Sequence, residues 1–188
     1  MNSLIEVINF SKQYRNHIVK IGDITITKRV NLLVGKNGSG KSTLLKAIAN
    51  VIKYDGKIIY NKKTSFMSEK VVYPLDLDIN NFLINLNNIS SSPVNSEKIN
   101  KLLCDFDLLD KKKEFLHNLS KGMKAKVNLV QCLMEQADIY LIDEPLSGLD
   151  TDGVKQLIKY VEKSSFSFLI STHLIDEYSS ISEEIFYL

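Results

Sequence analysis

Apolar residues change their spacing several times along the chain, and each change predicts an element. Short strands come first, at Val7–Phe10 and Ile21–Thr27; in "IGDITITK" apolar and polar residues alternate as on a half-buried sheet. "VNLLV" at 30–34 is continuously apolar and runs into a glycine, the pattern of a strand covered on both faces. "KSTLLKAIANVI" at 41–52 is apolar almost all round, which predicts a central helix. "KIIY" and "SFM" read as further short strands.

Between about Tyr73 and Leu119 strand signals vanish, Asn, Ser and Asp become frequent, and helical patterns run over about 78–89 and 96–106. This segment is expected as a small helical insert and not as a separate domain. A helix from Leu119 to about Gln136 follows, then strand "IYLI", helix 152–163, strand "SFLI", a short helix 174–179 and a last strand "IFYL". Val154, Leu157, Ile158 and Val161 fall at i, i+3, i+4 and i+7, an amphipathic helix expected to cover a sheet. Strands alternating with helices predict a mainly parallel α/β core.

The loop after "VNLLV" supplies the first chemistry. "GKNGSGKST" (Gly35, Lys36, Asn37, Gly38, Ser39, Gly40, Lys41, Ser42 and Thr43) fits the G-x-x-x-x-G-K-[ST] spacing, between a buried strand and a helix. Glycines let such a loop fold back until its N–H groups point at phosphate oxygens, and the following helix adds its positive end. Lys41 is placed to reach the β- and γ-phosphates and the Ser42 hydroxyl to bind Mg2+, so a nucleoside triphosphate site is expected.

In "DIYLIDEPLSGLD", Asp143 and Glu144 close a buried apolar strand. Asp143 is placed to hold Mg2+ through water or Ser42, and Glu144 to act as general base on an attacking water. His173 ends the strand of "LISTH" at the same sheet edge, within reach of a γ-phosphate and that water. His17 and His117 have no such setting and read as surface residues. "LSKGM" at 119–123, ahead of an apolar-periodic stretch, looks like a second phosphate-binding helix start.

Composition limits the alternatives. A chain of 188 residues, 44% hydrophobic, suits one soluble domain. Net charge of +2 is too mild for nucleic acid as the main partner, and Lys111–Lys113 reads as a solvated loop. Cys104 and Cys132 lie in apolar helical patterns without CxxC spacing, so buried free thiols in a reducing compartment are expected. With neither a signal peptide pattern nor an uncharged run long enough for a bilayer, the chain is expected in the cytoplasm.

In order, these motifs resemble the nucleotide-binding subunit of an ABC transporter over nearly the whole chain. "LSKGM" resembles the family's LSGGQ signature, "LIDEP" its Walker B, "SGLD" its D-loop, "STH" its switch-histidine loop and "SKQY" its N-terminal aromatic segment. The resemblance implies a P-loop NTPase fold with a mainly parallel sheet core, an N-terminal antiparallel β subdomain and a small inserted α-helical subdomain at about 73–136. The whole of 1–188 is then a single ATPase domain, without a regulatory C-terminal domain. It implies ATP and Mg2+ as cofactors, with Tyr14 stacked on adenine. It also implies a head-to-tail dimer, in which Ser120 and the Gly122 N–H reach the γ-phosphate on a partner's Gly35–Thr43 and Asp150 crosses the same interface. The pair is either two copies of this chain or this chain with a relative.

Two departures stand out. Lys121 and Met123 replace the first signature glycine and the glutamine; Lys121 either adds positive charge at the site or faces solvent. Glu69 falls at the Q-loop position, where a carboxylate can still contact Mg2+ or its water. The segment Glu69–Phe82 corresponds to the face that meets the membrane subunit's coupling helix. The implied function is an ATPase that powers a separate integral-membrane permease from the cytoplasmic side, with the "LSKGM" variant resembling bacterial exporters. The rival readings are a soluble ABC-type ATPase with a non-transport role and an ATP-gated binding module. Translation-type members carry two cassettes and repair-type members long coiled coils, and Glu144 with His173 would be superfluous in a pure binder.

Overall fold

The computed structural model describes residues 3–188. In chain order the first elements are β1 (Ile5–Gln13), β2 (Ile18–Ile21), β3 (Ile24–Ile26), β4 (Val30–Val34), α1 (Lys41–Ile48), β5 (Asp55–Ile59) and β6 (Thr64–Met67). There follow α2 (Ile79–Ile89), α3 (Ser96–Asp105), α4 (Lys121–Met134), β7 (Ile139–Asp143), α5 (Thr151–Lys163), β8 (Ser167–Thr172) and β9 (Glu184–Tyr187). Contacts divide the chain into two compact units: residues up to Phe66 with 137–144 and 165–188, and residues 67–136 with 145–164.

In the first unit β1 pairs antiparallel with β2, β3 and β5. The expected strand Ile21–Thr27 is divided between β2 and β3, which keep one register against β1, Phe10 facing Ile21 and Val7 facing Ile24. The break falls at Gly22–Asp23, where the Asp23 carboxylate accepts the Asn9 N–H at 2.8 Å. Asn9 has left-handed backbone (φ 51°), and the β1–β5 register shifts beside it. A bulge of this kind consumes one residue and turns the strand.

The second sheet has the order β6-β7-β8-β4-β9, and β8 lies parallel between β7 and β4. Every residue of β4 and β7 is buried, as their unbroken apolar runs predict for strands covered on both faces. α1 packs against β7. Leu44, Leu45 and Ile48 of α1 are fully buried in a core shared with Ile5, Val7, Phe10, Leu141 and Leu169. Each such side chain stabilises the fold by roughly 1.5–3 kcal/mol.

α1 stops at Ile48, short of the expected Ile52. Asn50 takes left-handed backbone (φ 57°), its N–H bonds the Ala47 carbonyl, and the Val51 N–H bonds Lys46 O at 2.8 Å. Those two bonds are the Schellman ending, and asparagine is the residue other than glycine that adopts its backbone readily. The expected helix 174–179 is a single 3-10 turn, Asp176–Tyr178.

In the second unit each of the α-helices α2 to α5 opens on a side-chain cap. Asp78 accepts from Asn81 N, Asn95 from Lys98 N, Ser120 from Met123 N and Asp150 from Gly153 N. Such caps contribute roughly 1 kcal/mol each. α4 packs against α2 and α3. α5 buries Val154, Leu157 and Val161, and its Tyr160 ring meets Phe106 at 6.2 Å. Cys132 is buried as expected, but Cys104 is exposed: α3 buries Ile99, Leu102 and Leu103, and Cys104 falls on the opposite face.

Candidate functional site

β4, β7 and β8 run parallel in a register that sets Asp143 beside Ser171 and Val34 beside Thr172. Their carboxyl ends therefore finish at one edge, where Gly35, Glu144 and His173 emerge. Ligands of open α/β sheets bind at that edge.

The loop 35–40 is shaped by backbone. Gly38 and Gly40 have φ of 86° and 106°, a region L-residues rarely adopt. A Cβ on Gly35 would lie 2.6 Å from Ser39 Oγ and 2.7 Å from the Leu188 carbonyl oxygen. α1 then opens at Lys41 without a side-chain cap, so its first-turn N–H groups lack partners within the helix. Ser39 Oγ is buried with no hydrogen-bond partner among the described residues. An anion with several acceptor oxygens fits this cradle of uncapped donors, and a triphosphate is such an anion.

Two hydrogen-bonded clusters flank the cradle. In one, Ser42 Oγ donates to Asp143 Oδ1 at 2.9 Å and Ser171 Oγ donates to the same oxygen at 2.7 Å. The Ser171 hydroxyl also accepts the Glu144 N–H at 2.9 Å. In the other, Lys41 Nζ donates to Gly35 O at 2.6 Å and lies 3.1 Å from Glu144 Oε1. His173 Nδ1 lies 2.9 Å from Glu144 Oε2, and because an ionised carboxylate only accepts, Nδ1 carries the proton. Glu144 has left-handed backbone, φ 44°, and is 8% exposed. The hydroxyl and carboxylate of Ser42 and Asp143 are hard oxygen donors of the kind Mg2+ takes alongside phosphate. Among the described residues no three His, Cys, Asp or Glu side chains gather as a metal-binding group.

Tyr14 also stands in this unit, its hydroxyl 3.2 Å from Thr43 Oγ1. His17 is exposed, as expected of a surface residue, and stacks on the Tyr14 ring with centroids 5.0 Å apart. The structure thus joins Tyr14, Gly35–Thr43, Asp143, Glu144 and His173 in the first unit.

Ser120, Gly122, Asp150 and Glu69 belong to the second unit. Ser120 caps α4, its hydroxyl accepting from Met123 N at 3.2 Å, and Lys121 is exposed. A Cβ on Gly122 would meet Asp150 Oδ2 at 3.4 Å, so Gly122 and the Asp150 carboxylate are neighbours. Lys126, 7% exposed, lies 3.5 Å from Asp150 Oδ1. The Gly153 N–H foremost, with the Lys126 ammonium behind it, holds the Asp150 carboxyl below the usual carboxylate range. Glu69 is exposed just beyond β6, and Asn128 of α4 donates to the preceding carbonyl, Ser68 O, at 2.7 Å.

Ser171 and Lys126 were not singled out in the sequence. The signal for Ser171 was a polar residue inside the apolar run "FLIST", level with Asp143 once the two strand ends are aligned. For Lys126 it was a charge directly ahead of the apolar residues Val127, Leu129 and Val130 of α4.

Residues 25–147 match the ABC transporter family. The chain is 35% identical over 164 residues to the ATP-binding protein Uup of Buchnera aphidicola subsp. Schizaphis graminum, covering 83% of this chain and 27% of that protein. It is 31% identical over 167 residues to the ABC transporter ATP-binding protein YthP of Bacillus subtilis, covering 82% of this chain and 68% of that one. A solved ATP-binding subunit of an ABC transporter superposes with a TM-score of 0.81 at 25% identity, covering 99% of this chain and 86% of the other. The chain spans about a quarter to a third of the Uup proteins it matches, at 27% and 30% of their length. The chain belongs to the ABC transporter family, with the fold of its P-loop ATP-binding domain.

Proposed function

We propose that this chain is the ATP-hydrolysing subunit of an ABC transporter, working as a head-to-tail pair and powering export through a separate membrane permease. The observation that carries the proposal is the buried Lys41–Glu144 pair, with the exposed His173 on the second Glu144 oxygen, beside the uncapped start of α1. A protein that only bound ATP would need the lysine and the helix end, but not a carboxylate held in place on both oxygens.

In this mechanism the N–H groups of Gly38–Thr43 and the Lys41 ammonium hold the β- and γ-phosphates, and Tyr14 stacks on the adenine. Ser42 and Asp143 are the residues that would hold Mg2+. Mg2+ held there would supply positive charge against the phosphate oxygens. Glu144 takes a proton from the attacking water onto a carboxylate oxygen, and His173 orients that carboxylate through Nδ1. Positioned bases of this kind contribute about 10²–10⁴-fold. Ser120 and Gly122 of one protomer close over the γ-phosphate held by its partner, with Asp150 at the same interface.

Among the described residues no helix is long and apolar enough to cross a membrane. In this reading the chain reaches the inner face of the cell membrane by docking on its permease. Val72 and Leu75, 97% and 69% exposed, lie in the segment assigned to that contact. Affinity purification of the tagged chain from detergent-solubilised membranes tests the assignment. Recovery of one multi-span protein in stoichiometric amount supports it; recovery of soluble partners alone favours a soluble, non-transport ATPase.

A further inference from the structure

We propose that Ser171 is a positioning residue for hydrolysis, its hydroxyl pinning the backbone of Glu144 to Asp143 so that the Glu144 carboxylate meets the attacking water. The inference rests on the proposed role of Glu144 as base. Three observations carry it.

First, the parallel register makes Ser171 and Asp143 direct neighbours on β8 and β7, so their side chains share one face. Ser171 is 0% exposed, and its hydroxyl donates to Asp143 Oδ1 at 2.7 Å. Second, that donation orients the oxygen lone pairs, and the Glu144 N–H uses one of them at 2.9 Å. Third, Glu144 holds φ 44° directly after the last residue of β7. A glutamate in that conformation persists only where its surroundings over-determine it. On the main-chain side the restraint is Ser171; on the side-chain side it is Lys41 and His173.

The two restraints do different work. Lys41 belongs to the phosphate cradle, so its loss removes nucleotide binding along with catalysis. Ser171 makes no hydrogen bond to the cradle; it acts on the direction in which the chain leaves β7. Without its hydroxyl the buried Glu144 N–H has no acceptor, the backbone is free to leave the left-handed region, and the carboxylate shifts from the line of attack. Displacement of a reacting group by about 1 Å is worth about 10²-fold in rate.

The test compares Ser171→Ala with Ser171→Thr, which keeps the hydroxyl. Expected for Ser171→Ala is a kcat about 10- to 100-fold lower, with KM and the affinity for a non-hydrolysable ATP analogue within about twofold of wild type. Ser171→Thr should recover most of the lost kcat. If the alanine variant does not fold, Ser171→Cys takes its place, filling the volume while offering only a weak donor and acceptor. Wild-type kcat in the hydroxyl-deleted variant, equal losses in both variants, or a loss of analogue affinity in step with kcat would each overturn the inference. Wild-type turnover in Glu144→Gln would instead overturn the base assignment beneath it, so the two failures are distinguishable.

Discussion

The Lys41 ammonium lies 3.1 Å from Glu144 Oε1, with both side chains at most one-tenth exposed. Lys41 also donates to Gly35 O and Lys36 O, and Glu144 accepts from His173, so both charges are buried with several partners. Removing one member of a buried pair leaves the other uncompensated, at a cost of about 3 kcal/mol. Lys41→Met does this to the carboxylate, whereas Glu144→Gln keeps an acceptor for the lysine. In urea unfolding, Lys41→Met should lower stability well beyond Glu144→Gln. A Lys41→Met midpoint equal to that of the wild type would mean that the pair is not coupled in solution.

Gly35→Ala is the sharpest test of the cradle itself. The added methyl would sit 2.6 Å from Ser39 Oγ and 2.7 Å from Leu188 O, and backbone cannot give way as a flexible side chain can. The loop must move, and nucleotide affinity should fall by about 10-fold or more, on the scale of 1–3 kcal/mol for overpacking a tight site. Isothermal titration with an ATP analogue reads this directly.

What the sequence made legible follows from how local each signal is. The cradle, the capping Ser120 and the carboxylates ending β7 are read from residues within a few positions of one another. Ser171 is functional only through its alignment with Asp143, twenty-eight residues away, and that register appears only when two strands pair. The Lys126–Asp150 pair depends in the same way on residues of α4 and α5 meeting in space. Element ends were lost where a single residue decides them. Asn50 stops α1 inside an apolar run, and Gly22–Asp23 breaks an otherwise even alternation.

Asp150 should make stability depend on pH in acid. Its folded pKa is lowered, so its contribution is fully present above the unfolded value of about 4 and is lost as pH falls through the lower folded value. Asp150→Asn keeps a good helix cap and removes only the charge. The variant should be less stable at neutral pH, by at most about 1 kcal/mol because the carboxylate is largely exposed. The difference in urea midpoint should shrink towards about pH 3. A difference independent of pH would assign the effect to packing.

Ser120→Arg tests the shared site. Ser120 is an exposed cap at the start of α4, and a long cation there keeps the fold but obstructs a partner's γ-phosphate. Size-exclusion chromatography with ATP and the Glu144→Gln background should show a dimer that Ser120→Arg removes. A dimer indifferent to the substitution would place the contact elsewhere.

The central claim is that Glu144 is the base for ATP hydrolysis, and the kcat of Glu144→Gln tests it most directly. The amide keeps the shape of the side chain and its contact with Lys41 but cannot take a proton. A fall in kcat of about 100-fold or more, with ATP still bound, is the predicted result. Hydrolysis at the wild-type rate would contradict it.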